Sequence, residues 1–303
     1  MKYVELDGAR ISRIGLGTWQ FGSREWGYGE DYAGDAATRI VTRALELGIN
    51  LVDTAEIYAF GRSEKIVGQA VAGRRESVFL ATKVLPVVPL RAVVEWRGRG
   101  SARRLGTESI DLYQLHWPNP VVPLQSQLAG MRRLRDAGIV SRIGVSNYSL
   151  ALWKAADRAL RGPVFSNQVR YNLLWRKPEA DLVPFAQRNG RLVIAYSPLA
   201  QGMLSGRYDS GSLPRGTMRR LAFRHIGRAE PVIEELRAIA ERHGATPSQV
   251  ALAWLIRRPN VVAIPGASSV EQLEKNAAAG DLDLADEEDA RLASAALAYE
   301  QAA

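Results

Sequence analysis

Eight short apolar runs, each trailed by a stretch with helical spacing, constrain this chain more than any other feature. The runs fall at 14–17, 50–53, 77–83, 110–116, 141–145, 164–168, 191–196 and 261–265. They are rich in Val, Ile and Leu, as strands buried on both faces are. Between and after them, apolar residues recur at helical intervals over 35–47, 63–71, 90–105, 124–137, 150–159, 179–189, 247–256 and 270–278. Further helices are predicted at 230–243 and 287–298. Asp35 opens the first helix and Gly48 closes it. Thr246 followed by Pro247 reads as an N-cap with Pro at the first helical position.

Strand and helix repeated eightfold imply parallel strands joined by right-handed crossovers. At 303 residues the chain has room for one large barrel or two small domains. Eight units in that length fit a closed (β/α)8 TIM barrel, an α/β fold, better than two doubly wound sheets. No linker or low-complexity segment breaks the alternation, so residues 1–303 read as one domain. Residues 2–12 alternate around Asp7-Gly8, which predicts a hairpin ahead of the first unit. The long irregular stretches 20–34 and 203–226 read as lids or binding loops on the C-terminal face.

Composition narrows the function classes. Hydrophobic residues make up 47% and charged residues 24%, enough for a sizeable core. No run approaches the roughly 18 apolar residues of a membrane span, and the N-terminus lacks the apolar centre of a signal peptide. With no cysteine there is no disulfide, thiolate ligand or thiol nucleophile. A soluble, cytoplasmic protein is the plain expectation. The formal net charge of +8 raises a nucleic-acid reading, but the basic residues are spread along the chain, with local groups at 97–104, 132–135 and 215–224, and no aromatic-interleaved basic stripe accompanies them. They read as solvated helix faces, or as a field suited to a polyanionic cofactor. No nucleic acid and no membrane are expected as partners.

In such a barrel the site lies at the C-terminal ends of the strands. Asp53, Lys83, His116, Ser146-Asn147, Gln168 and Tyr196-Ser197 are therefore expected to converge, with Tyr58 in the loop after Asp53. These groups suit carbonyl reduction, in which the developing alkoxide needs a proton. Tyr58 is the candidate acid, and Lys83 is expected to lower its pKa from about 10. Asp53 would keep Lys83 charged, and His116 would hydrogen-bond the carbonyl oxygen. Taken singly, each has a plainer role: Asp53 a helix cap, Tyr58 packing, Lys83 a surface charge, His116 a satisfied core histidine. Four together at one barrel mouth favour chemistry.

The segments Asp53-Thr54-Ala55-Glu56-Ile57-Tyr58, Thr82-Lys83, Leu115-His116-Trp117-Pro118 and Gly144-Val145-Ser146-Asn147-Tyr148 resemble the aldo-keto reductase family. The match runs in one register from Gly15-Leu16-Gly17-Thr18-Trp19 to Lys275-Asn276. The resemblance implies a (β/α)8 barrel closed at its base by the N-terminal hairpin, and NADPH-linked interconversion of carbonyls and alcohols. By the same resemblance, Ser146, Asn147 and Gln168 would hold the nicotinamide carboxamide and Tyr196 would stack on its ring. Helix capping is the other reading of Ser146-Asn147. Ser197, Leu199, Gly202 and Arg207 would take the pyrophosphate. Gly266, Ser268, Gln272, Lys275 and Asn276 would take the adenosine end, with Gly17, Thr18, Trp19 and Asp53 also lining the cofactor. NADPH is the expected cofactor and NADH a tolerated alternative. The 266–272 segment is most similar to the branch that includes potassium-channel beta subunits. Trp19, Phe60 and Trp117 would line the substrate mouth, with Trp26 and Tyr148 either joining them or simply packing.

Besides a reductase acting on a small carbonyl or alcohol, two other classes fit less well. A cofactor-binding regulatory or scaffold subunit with little turnover is suggested by the 266–272 resemblance. A lyase using Lys83 as a Schiff-base nucleophile would need that amine uncharged, which Asp53 opposes. Three scattered histidines with no ligand-spaced pair give no metal site. Oligomeric state is open at this level.

Overall fold

A computed structural model describes residues 1–21, 35–209, 211–214, 223 and 226–301, the side chains of 300 and 301 excepted. The two-residue turn at Asp7-Gly8, both at positive φ, folds β1 (Tyr3–Leu6) antiparallel onto β2 (Ala9–Ser12). Eight strands then form one parallel sheet in sequence order: β3 (Leu16–Gly17), β4 (Leu51–Asp53), β5 (Phe79–Val84), β6 (Ile110–Leu115), β7 (Val140–Ser146), β8 (Ser166–Arg170), β9 (Leu192–Tyr196) and β10 (Val261–Ala263). Parallel bridges from Ile14 to Ala263 and from Gly17 to Gly266 join the last strand to the first. The sheet thus curls into the predicted (β/α)8 barrel, with the hairpin at its base.

Helices follow the strands: α1 (Asp35–Glu46), α2 (Arg62–Val71), α3 (Arg91–Leu105), α4 (Leu124–Asp136), α5 (Leu150–Leu160), α6 (Leu182–Arg188), α7 (Ile226–Arg242), α8 (Pro247–Ile256), α9 (Val270–Ala278) and α10 (Asp286–Gln301). Helix α8 starts as predicted: the Thr246 hydroxyl accepts from the Gln249 N–H, and the Gln249 side chain returns to the Thr246 N–H. Helix α6 begins later than the predicted 179, because Lys177–Glu179 form a separate 3-10 turn containing Pro178. Helix α7 begins earlier than 230 and carries Pro231 inside it.

Strand alternation divides the core in two. Outward side chains such as Val52, Leu80, Tyr113, Val145 and Val193 pack against the helices. Inward ones such as Leu51, Phe79, Ala81, Leu112, Leu192, Ile194 and Val262 meet Val4 and Ile11 of the hairpin. The barrel interior is therefore plugged with apolar side chains from below. Among the described residues, no helix is long and apolar enough to cross a membrane.

Candidate active site

The inward parity set by Leu51, Phe79, Leu112 and Leu192 carries upward, two residues at a time, to Asp53, Lys83, Gln114 and Tyr196. Strand pairing places Asp53 opposite Ala81, Lys83 opposite Gln114, and Ser146 opposite Gln168. The predicted convergence is realised at this end of the barrel.

Lys83 is fully buried, which removes its reading as a surface charge. Its ammonium donates to Asp53 Oδ1 at 2.5 Å, to the Thr54 carbonyl at 2.8 Å and to Tyr58 Oη at 3.3 Å. A buried charge pair is tolerable only when its remaining hydrogen-bonding capacity is met, and here all three N–H groups have acceptors. Burial pulls the Lys83 pKa down, but the Asp53 carboxylate and Tyr58 outweigh it and hold the amine above its ordinary value. The second Asp53 oxygen accepts from Gln168 Nε2 at 2.8 Å. Asp53 is thus no helix cap; Gly61 stands at that position of α2.

Tyr58 opens a short 3-10 turn, Tyr58–Gly61, in which Ala59 and Phe60 take left-handed φ values of 46° and 54°. Non-glycine residues held there store strain of the kind that gathers at functional sites. The expected lowering of the Tyr58 pKa is only partly met. Lys83 does pull it down, but desolvation is the larger effect, and the phenol sits above its ordinary value. His116 is pushed from 6.5 to about 2, first by burial and then by the Lys83 charge, so its imidazole is neutral. Its ring stacks on Trp117 with centroids 3.8 Å apart and meets Tyr58 edge-on at 5.9 Å. Its Nδ1 is buried with no hydrogen-bond partner, unlike that of a satisfied core histidine.

Across the barrel, Ser146 donates to the Gln168 carbonyl at 2.9 Å. Asn147, at φ 62°, donates to the His116 carbonyl at 3.2 Å and to Ser146 Oγ at 3.0 Å, and accepts from Tyr196 Oη at 2.9 Å. Helix capping is not their task, because Ser149 caps α5 by accepting from the Leu152 N–H. This wall offers amide groups beside the half-exposed Tyr196 ring, which suits a flat amide-bearing ring such as nicotinamide.

The loop after β9 runs through left-handed Ser197, Ala200, Gln201 and Gly202. The Gly202 N–H, expected to face a phosphate, donates instead to the Leu199 carbonyl at 2.9 Å and tightens this turn. Arg207 is exposed. In the last segment Gly266 is exposed and Asn276 donates to its carbonyl. The Gln272 amide oxygen accepts from both the N–H and the hydroxyl of Ser268. Lys275 is paired with Glu271 at 2.6 Å on its own helix. Gln272 and Lys275 thus have local partners at the position expected for a phosphate.

Gly17 lies in β3 and donates to the Pro265 carbonyl, and buried Thr18 donates to the Asp53 carbonyl. Trp19, Phe60 and Trp117 are exposed at 47%, 94% and 44%, as a mouth requires. Tyr148 is not part of it: it is 2% exposed and its backbone bonds to the Asn167 side chain. Trp26 lies outside the described residues. Gln114 was not anticipated. It sits inside the barrel on the strand beside Lys83, where Ser166 Oγ reaches its Oε1 at 3.4 Å. Gly144 makes room for it, since a Cβ there would lie 2.4 Å from Ser166 Oγ and 2.9 Å from Gln114 Cγ.

The sequence profile of the Aldo/keto reductase family matches residues 13–296. The chain is 55% identical over 304 residues to an uncharacterized oxidoreductase of Mycobacterium tuberculosis, covering 99% of this chain and 94% of the relative. It is 35% identical over 306 residues to a methylglyoxal reductase of Escherichia coli, with 96% and 93% covered. A probable voltage-gated potassium channel subunit beta of Arabidopsis thaliana is 29% identical over 309 residues, with 93% and 92% covered. Among solved structures, an aldo/keto reductase from Klebsiella pneumoniae in complex with NADP and acetate superposes with a TM-score of 0.79 at 35% identity, covering 96% of this chain and 94% of that one.

Proposed function

The chain belongs to the aldo/keto reductase family, and on that premise we propose that it reversibly reduces aldehyde and ketone carbonyls of small molecules to alcohols, with Tyr58 as proton donor and NADPH as cofactor. The observation that carries this reading is the buried Asp53–Lys83 pair, whose ammonium reaches Tyr58 Oη at 3.3 Å beside a neutral His116.

When bound, NADPH supplies the hydride. Tyr58 Oη gives its proton to the carbonyl oxygen as negative charge builds there. The phenolate left behind faces the Lys83 ammonium, which stabilises it. Asp53 keeps that ammonium charged and in place by taking one of its N–H bonds and accepting from Gln168 with its other oxygen. Neutral His116 is suited to donate a hydrogen bond to the same carbonyl oxygen, orienting it without competing for the proton. Ser146, Asn147 and Gln168 hold the carboxamide, and Tyr196 sets which face of the ring points inward. Ser197, Leu199 and Arg207 serve the pyrophosphate. Gly266, Ser268, Asn276 and the Glu271-paired Lys275 serve the adenosine end. Because that pairing draws on the nearby cation, NADH is accepted as well. Trp19, Phe60 and Trp117 give the mouth an apolar wall suited to aryl and alkyl carbonyls.

The test is NADPH oxidation over a panel of aromatic, aliphatic and sugar-derived carbonyls, with cofactor binding followed by fluorescence. Turnover by the wild type, lost in Tyr58→Phe while NADPH still binds, supports the reading. Tight NADPH binding with no turnover on any carbonyl would move the function to a regulatory or scaffold subunit with little turnover.

A further inference from the structure

The first turn of α2 and the loop before it are fastened to β5 on both sides of Lys83 by two carboxylates. Glu64 is fully buried. Its Oε1 accepts from the Thr82 hydroxyl at 2.6 Å, one residue before Lys83, and its Oε2 accepts from Arg104 Nε at 2.6 Å. Glu56, two residues before Tyr58, receives the Leu85 N–H on Oε1 at 2.5 Å and Arg97 Nε on Oε2 at 3.1 Å. The Glu56 N–H donates to the carbonyl of Lys83 itself at 3.2 Å. Tyr58 is therefore bracketed along the chain by Glu56 and Glu64, and Lys83 is bracketed along its strand by Thr82 and Leu85.

Two further contacts make the bracket stiff. Gly61, at φ 85°, lies flat on Arg104: a Cβ there would fall 2.8 Å from Arg104 Cδ and 2.9 Å from Nε. The Arg104 side chain thus sits directly under the left-handed turn that carries Tyr58. Ser63, beside Glu64, is buried and hydrogen-bonded to Thr18 and Thr54 at 2.9 Å each, so the first turn of α2 is also tied to the residues that follow β3 and β4. The charges offset one another, two carboxylates against the guanidiniums of Arg97 and Arg104. The cluster thereby holds geometry without adding net charge next to the phenol.

We propose that Glu64, with Thr82 and Arg104 as its partners, is a positioning residue that sets the distance between Tyr58 and Lys83. It touches neither substrate nor cofactor. The inference rests on Tyr58 being the proton donor. A misplacement of about 1 Å in a catalytic array lowers turnover by about a hundredfold, so loosening this bracket acts on kcat. Binding of the dinucleotide draws on the opposite wall, around Asn147 and Tyr196, and stays nearly unchanged.

The experiment compares wild type, Glu64→Gln and Thr82→Val, with Tyr58→Phe as control, for melting temperature, NADPH affinity, kcat, and the pH dependence of alcohol oxidation. Thr82→Val removes only the hydroxyl link and keeps the test open if Glu64→Gln does not fold. The expected result is a fall in kcat of about ten- to a hundredfold, with NADPH affinity within about twofold. The groups facing Tyr58 are Lys83, Asp53, His116 and Tyr196. If Lys83 retreats, its pull on the phenol weakens, and the alkaline rise of the oxidation rate moves to higher pH. A lower melting temperature with unchanged kcat and an unmoved pH profile in both variants would overturn the proposal. Full turnover in Tyr58→Phe would instead remove the reading on which it rests.

Discussion

Replacing His116 with Gln is expected to make the protein more resistant to acid unfolding than the wild type, relative to their stabilities at neutral pH. The reason lies in two neighbours of the imidazole: the apolar surroundings that desolvate it and the Lys83 ammonium, which together hold its native pKa at about 2 against 6.5 when unfolded. Below pH 6.5 the unfolded chain takes up a proton at this residue that the native protein refuses. Stability is therefore complete above that value and declines as pH falls toward about 2. One proton over one pH unit is worth about 1.4 kcal/mol, which gives a loss of about 1.4 kcal/mol at pH 5.5 and about 2.7 kcal/mol at pH 4.5. Gln carries a neutral N–H donor at every pH and escapes this loss. Urea unfolding of both proteins at about pH 7, 5.5 and 4.5 measures it directly, as a difference between them that changes by these amounts. A difference that stays constant over that range would mean that the imidazole titrates in the native state as it does when unfolded. Neither burial nor Lys83 would then be suppressing its charge, and the neutral hydrogen-bond donor assigned to the reaction would be refuted with it.

Lys83→Met should destabilise the protein by about 3–5 kcal/mol by leaving Asp53 buried without its ammonium. In Asp53→Asn/Lys83→Met the combined loss should fall short of the sum of the single losses by about 1–3 kcal/mol, measured as a double-mutant cycle in urea. Simple additivity would contradict the pair. Gly68→Ala should cost about 1–3 kcal/mol despite the higher helix propensity of Ala, because the new methyl would lie 2.5 Å from the Leu105 carbonyl oxygen where α2 crosses α3. A melting temperature at or above that of wild type would show that the two helices separate freely.

The barrel was legible because strand and helix periods alternate cleanly, and the ends of its elements were less so. β3 shrinks from the expected 14–17 to Leu16–Gly17 because Ile14 meets its partner only through an isolated bridge. Asp53, Lys83, His116 and Gln168 could be found because each ends a short apolar run, and the fold sends all such ends to one face. Gln114 was missed because a polar residue amid Leu112, Tyr113 and Leu115 gives no sign of pointing into the barrel. Glu64 was missed for a different reason. In Arg62-Ser63-Glu64-Lys65 it reads as a solvated helix residue, and its burial depends on Arg104, forty positions away. The Tyr58 pKa escaped for a third: the sign of its shift is decided by desolvation, which no list of neighbouring charges contains.

The two oxygens of Asp53 point to different strands. One answers to Lys83 on β5, the other to Gln168 on β8, so a single carboxylate spans the interior of the barrel from the wall that donates protons to the wall shaped for an amide ring. The consequence is for anyone who would redesign this protein. A substitution at Gln168 intended only to accept a different hydride carrier also frees an oxygen of Asp53, and through it alters how firmly Lys83 is charged and how readily Tyr58 lets go of its proton. The two halves of the chemistry are inherited together, and new specificity on one side has to be selected with the other side in view.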